Sequence, residues 1–148
     1  MPIPAFNKHG FLPEGIHICT VEEVASRFGS FQSSDRRPHL WARFRDFLRE
    51  IRASGVGLAI VINGSFATSK AEPNDIDLIL VVPASHDFGR DLSPGEYNIL
   101  SSQQVRRRHG LDLLVASADS DQYRRYVRLF QQVRWAPAQT KGLLRINL

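Results

Sequence analysis

Two carboxylates two residues apart, Asp75 and Asp77, open the apolar run Ile76 to Val82, IDLILVV. That run reads as a buried strand closed by Pro83. Residues i and i+2 of a strand project from one face. The two carboxylates therefore emerge together, while Ile76 and Leu78 enter the opposite face. Adjacent carboxylates repel unless a proton or a cation lies between them. Hard oxygen ligands of this kind suit Mg²⁺ or Mn²⁺, and Mg²⁺ commonly takes one or two carboxylates plus substrate phosphates. Upstream, Val56 to Ile62, VGLAIVI, reads as another buried strand, ended by Asn63-Gly64-Ser65. Glycine lets a backbone approach a phosphate closely. Backbone N–H groups and the Ser65 hydroxyl at a helix start can bind a phosphate oxygen. Gly64 and Ser65 are thus candidate nucleotide-binding residues, with Lys70 as a nearby cation. Asp112, in the run LDLLV, is a third carboxylate. It can ligate a second metal or take the proton from an attacking hydroxyl. Asp75, Asp77 and Asp112 form the candidate catalytic and metal set.

The elements that must carry these groups follow from the rest of the chain. Residues 1–15 hold Pro2, Pro4, Pro13, Gly10 and Gly15 and read as an extended arm or edge strand wrapping onto the domain. Thr20 followed by Glu23 is a capping-box pattern that starts a helix to about Phe28. Ser30 to Asp35 reads as a polar loop. Leu40, Trp41, Phe44, Phe47, Leu48 and Ile51 recur at spacings of three and four, which predicts an amphipathic helix from about Asp35 to Ala53, stopped by Gly55. Those side chains read as core, not as a ligand stripe. Ser93, Pro94 and Glu96 give an N-cap, a proline at N1 and an acid at N3, so a helix is expected from Pro94 to about His109. A short strand at Leu111 to Val115, a helix from Ser117 to about Gln132 and a closing strand from Gly142 to Leu148 complete the reading. Buried strands alternating with amphipathic helices indicate an α/β (α+β) fold, one sheet covered by helices. Residues 1–148 read as a single domain.

Composition narrows the class. The chain has 148 residues, 43% hydrophobic and 23% charged, with a formal net charge of +4. Those values fit a globular domain with a core of its own. The mild basic balance favours polyanionic partners. One cysteine, Cys19, makes no internal disulfide and no cysteine-based zinc site. The N-terminal residues do not have the pattern of a signal peptide, and no membrane span is expected. A cytoplasmic address follows by default.

The phrase GSF, then DID after a short spacer, then a later Asp on a strand resembles the DNA polymerase β-type nucleotidyltransferase superfamily. Its small bacterial members, the minimal nucleotidyltransferases, are the most similar in appearance. LPEGIH, the stretch GSFATSK–PND-D and the closing KGLLRINL also resemble an uncharacterised family of short bacterial proteins in that superfamily. The resemblance implies a mixed sheet flanked by α-helices, two Mg²⁺ ions and transfer of a nucleoside monophosphate from a nucleoside triphosphate. It implies that Gly64 and Ser65 hold the triphosphate, that Asp75 and Asp77 hold the metals, and that Asp112 is the third acid. Where minimal nucleotidyltransferases usually have an Arg-Gly pair, this chain has Thr68-Ser69-Lys70, and its spacer before Asp75 is about one residue shorter.

The other readings differ in class. GSFATSK is not a P-loop, because Ser69 precedes Lys70 and Ala71 follows it. The five histidines show no paired metal spacing and read as surface or structural groups. Arg106, Arg107 and Arg108, and Arg124, Arg125 and Arg128 with Tyr123 and Tyr126 between them, read as solvated helix faces or as a rim for RNA. The acceptor of an enzyme would be RNA, a protein or a small molecule. The alternative function is a catalytically inactive binding module on the same fold, antitoxin-like or regulatory.

Overall fold

The computed structural model describes residues 3–29, 35–70, 73–133, 136 and 138–148. Its five strands are β1 (Ile16–Ile18), β2 (Ala59–Asn63), β3 (Asp77–Val82), β4 (Asp112–Ser117) and β5 (Leu143–Asn147). They form one sheet in the order β1-β5-β2-β3-β4. The sheet is mixed: β1 runs parallel to β5 and β3 to β4, while β2 is antiparallel to both β3 and β5. Among the described residues the α-helices are α1 (Val21–Phe28), α2 (Arg36–Ser54), α3 (Pro94–Leu100), α4 (Ser102–His109) and α5 (Asp121–Gln131). The fold is therefore the mixed α/β type that the sequence predicts.

Strand alternation divides the core into two layers. Ile60, Ile62, Ile76, Leu78 and Leu80 join Leu40, Phe44, Phe47 and Ile51 of α2 in the larger cluster. Val61, Ile79, Val81, Ala116 and Phe130 of α5 form the smaller one on the opposite face. The stripe predicted for α2 is core: all six of its apolar residues are buried. Truncating one of its fully buried rings, as in Phe44→Ala, would cost ~3–5 kcal/mol. Gly55 ends α2 in the left-handed conformation, φ 69°, and its N–H bonds to the Ile51 carbonyl.

The capping box on α1 forms with both reciprocal bonds, Glu23 N–H to Thr20 Oγ1 and Thr20 N–H to Glu23 Oε1. The arm wraps as expected over its described residues. Leu12 is fully buried, Phe11 bridges to Thr68, and the Gly10 carbonyl accepts from Ser69 N. The loop read at Ser30 to Asp35 lies almost wholly outside the described residues.

Several boundaries differ from the sequence reading, β2 among them, which starts at Ala59 and not at Val56. The single helix expected from Pro94 to His109 is two, because Ser101 is extended (ψ 116°) and its Oγ accepts from Gln104 N to start α4. A serine favours a cap over a helix interior when its hydroxyl can take a backbone donor. The strand at Asp112 runs through Ser117, and α5 starts later, capped by Ser120. The edge strand allowed for residues 1–15 forms just beyond them, as β1; three residues are too few for a periodicity signal, and pairing with β5 makes them a strand. Among the described residues, no helix is long and apolar enough to cross a membrane.

Candidate functional site

The register of three neighbouring strands assembles the site. Asp77 opens β3 and lies opposite Asn63, the last residue of β2, on one side and Asp112, the first of β4, on the other. Paired residues share a face, so Asn63, Asp77 and Asp112 form a row across the end of the sheet. Asp75 joins them from two positions before Asp77. The three aspartates each bring a carboxylate oxygen within 4.8 Å of the others, the one such group of potential metal ligands among the described residues. Ile76 and Leu78 point the other way and are buried in the larger core layer, as the alternation requires.

Gly64 stands directly against this row. Its φ is 88°, and a Cβ there would lie 3.1 Å from Asp77 N, 3.2 Å from Asp77 Oδ2 and 3.3 Å from the Asp75 carbonyl. Any side chain would crowd both acids and strain the backbone. Ser65 begins a single 3₁₀ turn, Ser65–Ala67, and its Oγ accepts from Asn74 N at 3.2 Å. That bond ties the glycine turn to the acidic segment and leaves the hydroxyl hydrogen available for an anion. Gly64, Ser65, Lys70, Asp75, Asp77 and Asp112 all line one cleft of about 660 Å³. The sequence-predicted residues are thus together in space.

Burial and the neighbouring carboxylates raise the proton affinity of Asp75 and Asp77. Asp77 is pushed from 3.8 to about 6, first by burial and then by the charges of Asp75 and Asp112, with Lys141 opposing. Asp75 is also raised, first by burial and then by Asp112, while Arg106 and Lys70 pull the other way. The Arg106 guanidinium pairs with the Asp112 carboxylate. Crowded acids lining an open cleft fit a divalent cation by donor chemistry, since hard oxygens surround the point where charge must be neutralised.

Four cleft or support residues escaped the sequence reading. His9, Lys141 and Asn63 line the cleft. Arg37, at the start of α2, is fully buried. Its guanidinium donates to the carbonyls of Phe28 (3.1 Å), Phe66 (2.7 Å), Thr68 (2.8 Å) and Lys70 (2.6 and 3.2 Å). Burial lowers its pKa to about 10. Arg37 thereby fixes the path of the chain from Phe66 to Lys70, the segment that follows the glycine turn. No periodicity marks a buried arginine in a helix otherwise rich in exposed ones.

The remaining arginine cluster is partly committed to structure. Arg108 and His109 both reach Glu50 of α2, at 2.7 and 2.9 Å, which holds α4 against α2. Arg124 of α5 bonds to the Asp119 carbonyl at 3.0 Å.

Residues 4–147 match a family of unknown function, DUF6932, and the chain belongs to that family. No curated protein and no solved structure matches it.

Proposed function

We propose that the chain is a Mg²⁺-dependent nucleotidyltransferase of the DNA polymerase β type, moving a nucleoside monophosphate from a nucleoside triphosphate to a hydroxyl acceptor. The observation that carries this reading is the convergence of Asp75, Asp77 and Asp112 within 4.8 Å, against a glycine turn that opens on the same cleft. Asp75 and Asp77 hold the cation, and Asp112 completes the set of carboxylate ligands. Bound Mg²⁺ would neutralise charge on the triphosphate and on the departing pyrophosphate. Gly64 brings the backbone to the phosphates, and Ser65 and Lys70 donate to them. Asp112 receives the proton of the acceptor hydroxyl. The acceptor oxygen forms a bond to the α-phosphorus as the α–β phosphoanhydride bond breaks, and pyrophosphate leaves with the electron pair. A nucleoside triphosphate donor fits a cytoplasmic address. The acceptor hydroxyl belongs to RNA, a protein or a small molecule.

One observation favours a second reading, an inactive binding module on this fold. Asp112, the proposed proton acceptor, is already paired with Arg106. The experiment that separates the two is mass spectrometry of the protein and of cellular RNA after incubation with Mg²⁺ and each labelled nucleoside triphosphate. Transfer by wild type and its loss in Asp112→Asn, with nucleotide binding spared, supports the enzyme, because Asp112 acts mainly in the transition state. Nucleotide binding without transfer in either protein supports the module.

A further inference from the structure

The row of acids has a neutral member. Asn63 lies opposite Asp77, shares its face of the sheet, and lines the same cleft. It is only 5% exposed, and its amide oxygen is buried with no hydrogen-bond partner among the described residues. Buried polar atoms are almost always paired, and an orphaned acceptor asks for a donor. Ionised carboxylates are acceptors only and cannot supply it. A cation held by the carboxylates can.

The rest of β2 sharpens the point. Its other residues, Ala59 to Ile62, are apolar and buried, and Val61 and Ile79 on Asn63's own face belong to the smaller core layer. An apolar residue at position 63 would continue that packing and leave no unpaired atom. The terminal torsion of asparagine is broad, so the amide oxygen can turn to an ion without moving the backbone.

We infer that Asn63 is a fourth oxygen donor of the cation site, adding a neutral amide oxygen to the three carboxylates. Amide oxygens join carboxylates as ligands of hard divalent cations. The inference rests on the metal reading above and extends it by one residue.

Mn²⁺ alone is the probe, titrated by calorimetry and by the electron paramagnetic resonance signal of free Mn²⁺. Asn63→Leu should bind Mn²⁺ ~10-fold more weakly than wild type, the loss typical of removing a supporting ligand. With metal chelated away, its thermal midpoint should be no lower than wild type. Asn63→Asp keeps the oxygen, adds charge, and should bind at least as tightly as wild type. If Asn63→Leu does not fold, Asn63→Ser, whose hydroxyl is too short to reach, should show the same loss. Wild-type affinity in folded Asn63→Leu or Asn63→Ser overturns the inference, as does weakened binding in folded Asn63→Asp. Affinity lost in Asp77→Asn but kept in Asn63→Leu refutes Asn63 alone. Absence of Mn²⁺ binding by wild type overturns both this inference and the metal reading.

Discussion

Replacing Asp77 by asparagine should stabilise the metal-free protein. Asp77 rises from 3.8 to about 6 because it is buried beside Asp75 and Asp112. Its folded state therefore holds a proton more tightly than its unfolded state. The stability that this brings is fully present below the unfolded value and is lost as pH rises through about 6. At neutral pH the folded protein carries a charge that it disfavours. A rise of this size corresponds to at most ~3 kcal/mol at ~1.4 kcal/mol per unit. The carboxyl is partly exposed and shares its titration with two neighbours, which brings the figure to ~1–2 kcal/mol. An asparagine side chain keeps the shape and removes the charge, so Asp77→Asn should gain that amount at neutral pH with metal chelated away. For a chain of this size, each kcal/mol moves the thermal midpoint by ~2–4 °C. Urea denaturation at neutral pH, and again well below pH 6, measures both terms, and the gain should shrink on acidification. Added Mn²⁺ should reverse the order, because a cation at a hundred times its Kd stabilises only the protein that binds it, by ~2.7 kcal/mol. An apo Asp77→Asn protein no more stable than wild type, or a gain independent of pH, would refute the electrostatic argument.

Two other variants probe the groups around the site. Arg37→Gln leaves the carbonyls of Phe28, Phe66, Thr68 and Lys70 short of their donor and should cost ~3–5 kcal/mol in chemical denaturation; a loss below ~1 kcal/mol would show that water replaces the guanidinium. Arg106→Gln releases Asp112 from its ion pair and should tighten Mn²⁺ binding several-fold by calorimetry; unchanged or weaker binding would mean that the guanidinium does not compete with the cation.

The parts of the site visible in the sequence are those set by local rules. Alternation placed Asp75 with Asp77 and turned Ile76 and Leu78 into the core, and the structure keeps both assignments. The break at Gly64 was legible because a glycine ends an apolar run. Asp112 was legible as a carboxylate in a strand, but its position opposite Asp77 depends on parallel pairing of β3 and β4 across the intervening helices. Long-range pairing also explains β1, which borrows its strand geometry from β5. Arg37 and Lys141 reach the site from opposite ends of the chain, and nothing in their neighbours' periodicity signals it. Ser101 shows the limit for helices. A serine within a helical pattern reads as interior until its hydroxyl is seen capping the next segment.

A cation-dependent nucleotide site built on the three aspartates makes nucleotide affinity depend on metal. Calorimetric titration of a non-hydrolysable nucleoside triphosphate, with and without Mg²⁺, into wild type and Asp77→Asn tests it most directly. Mg²⁺ should strengthen nucleotide binding to wild type, because phosphate oxygens complete the ion's shell, and Asp77→Asn should lose most of this coupling while remaining folded. Equal Mg²⁺-linked binding by the two proteins, or none by wild type, would contradict it.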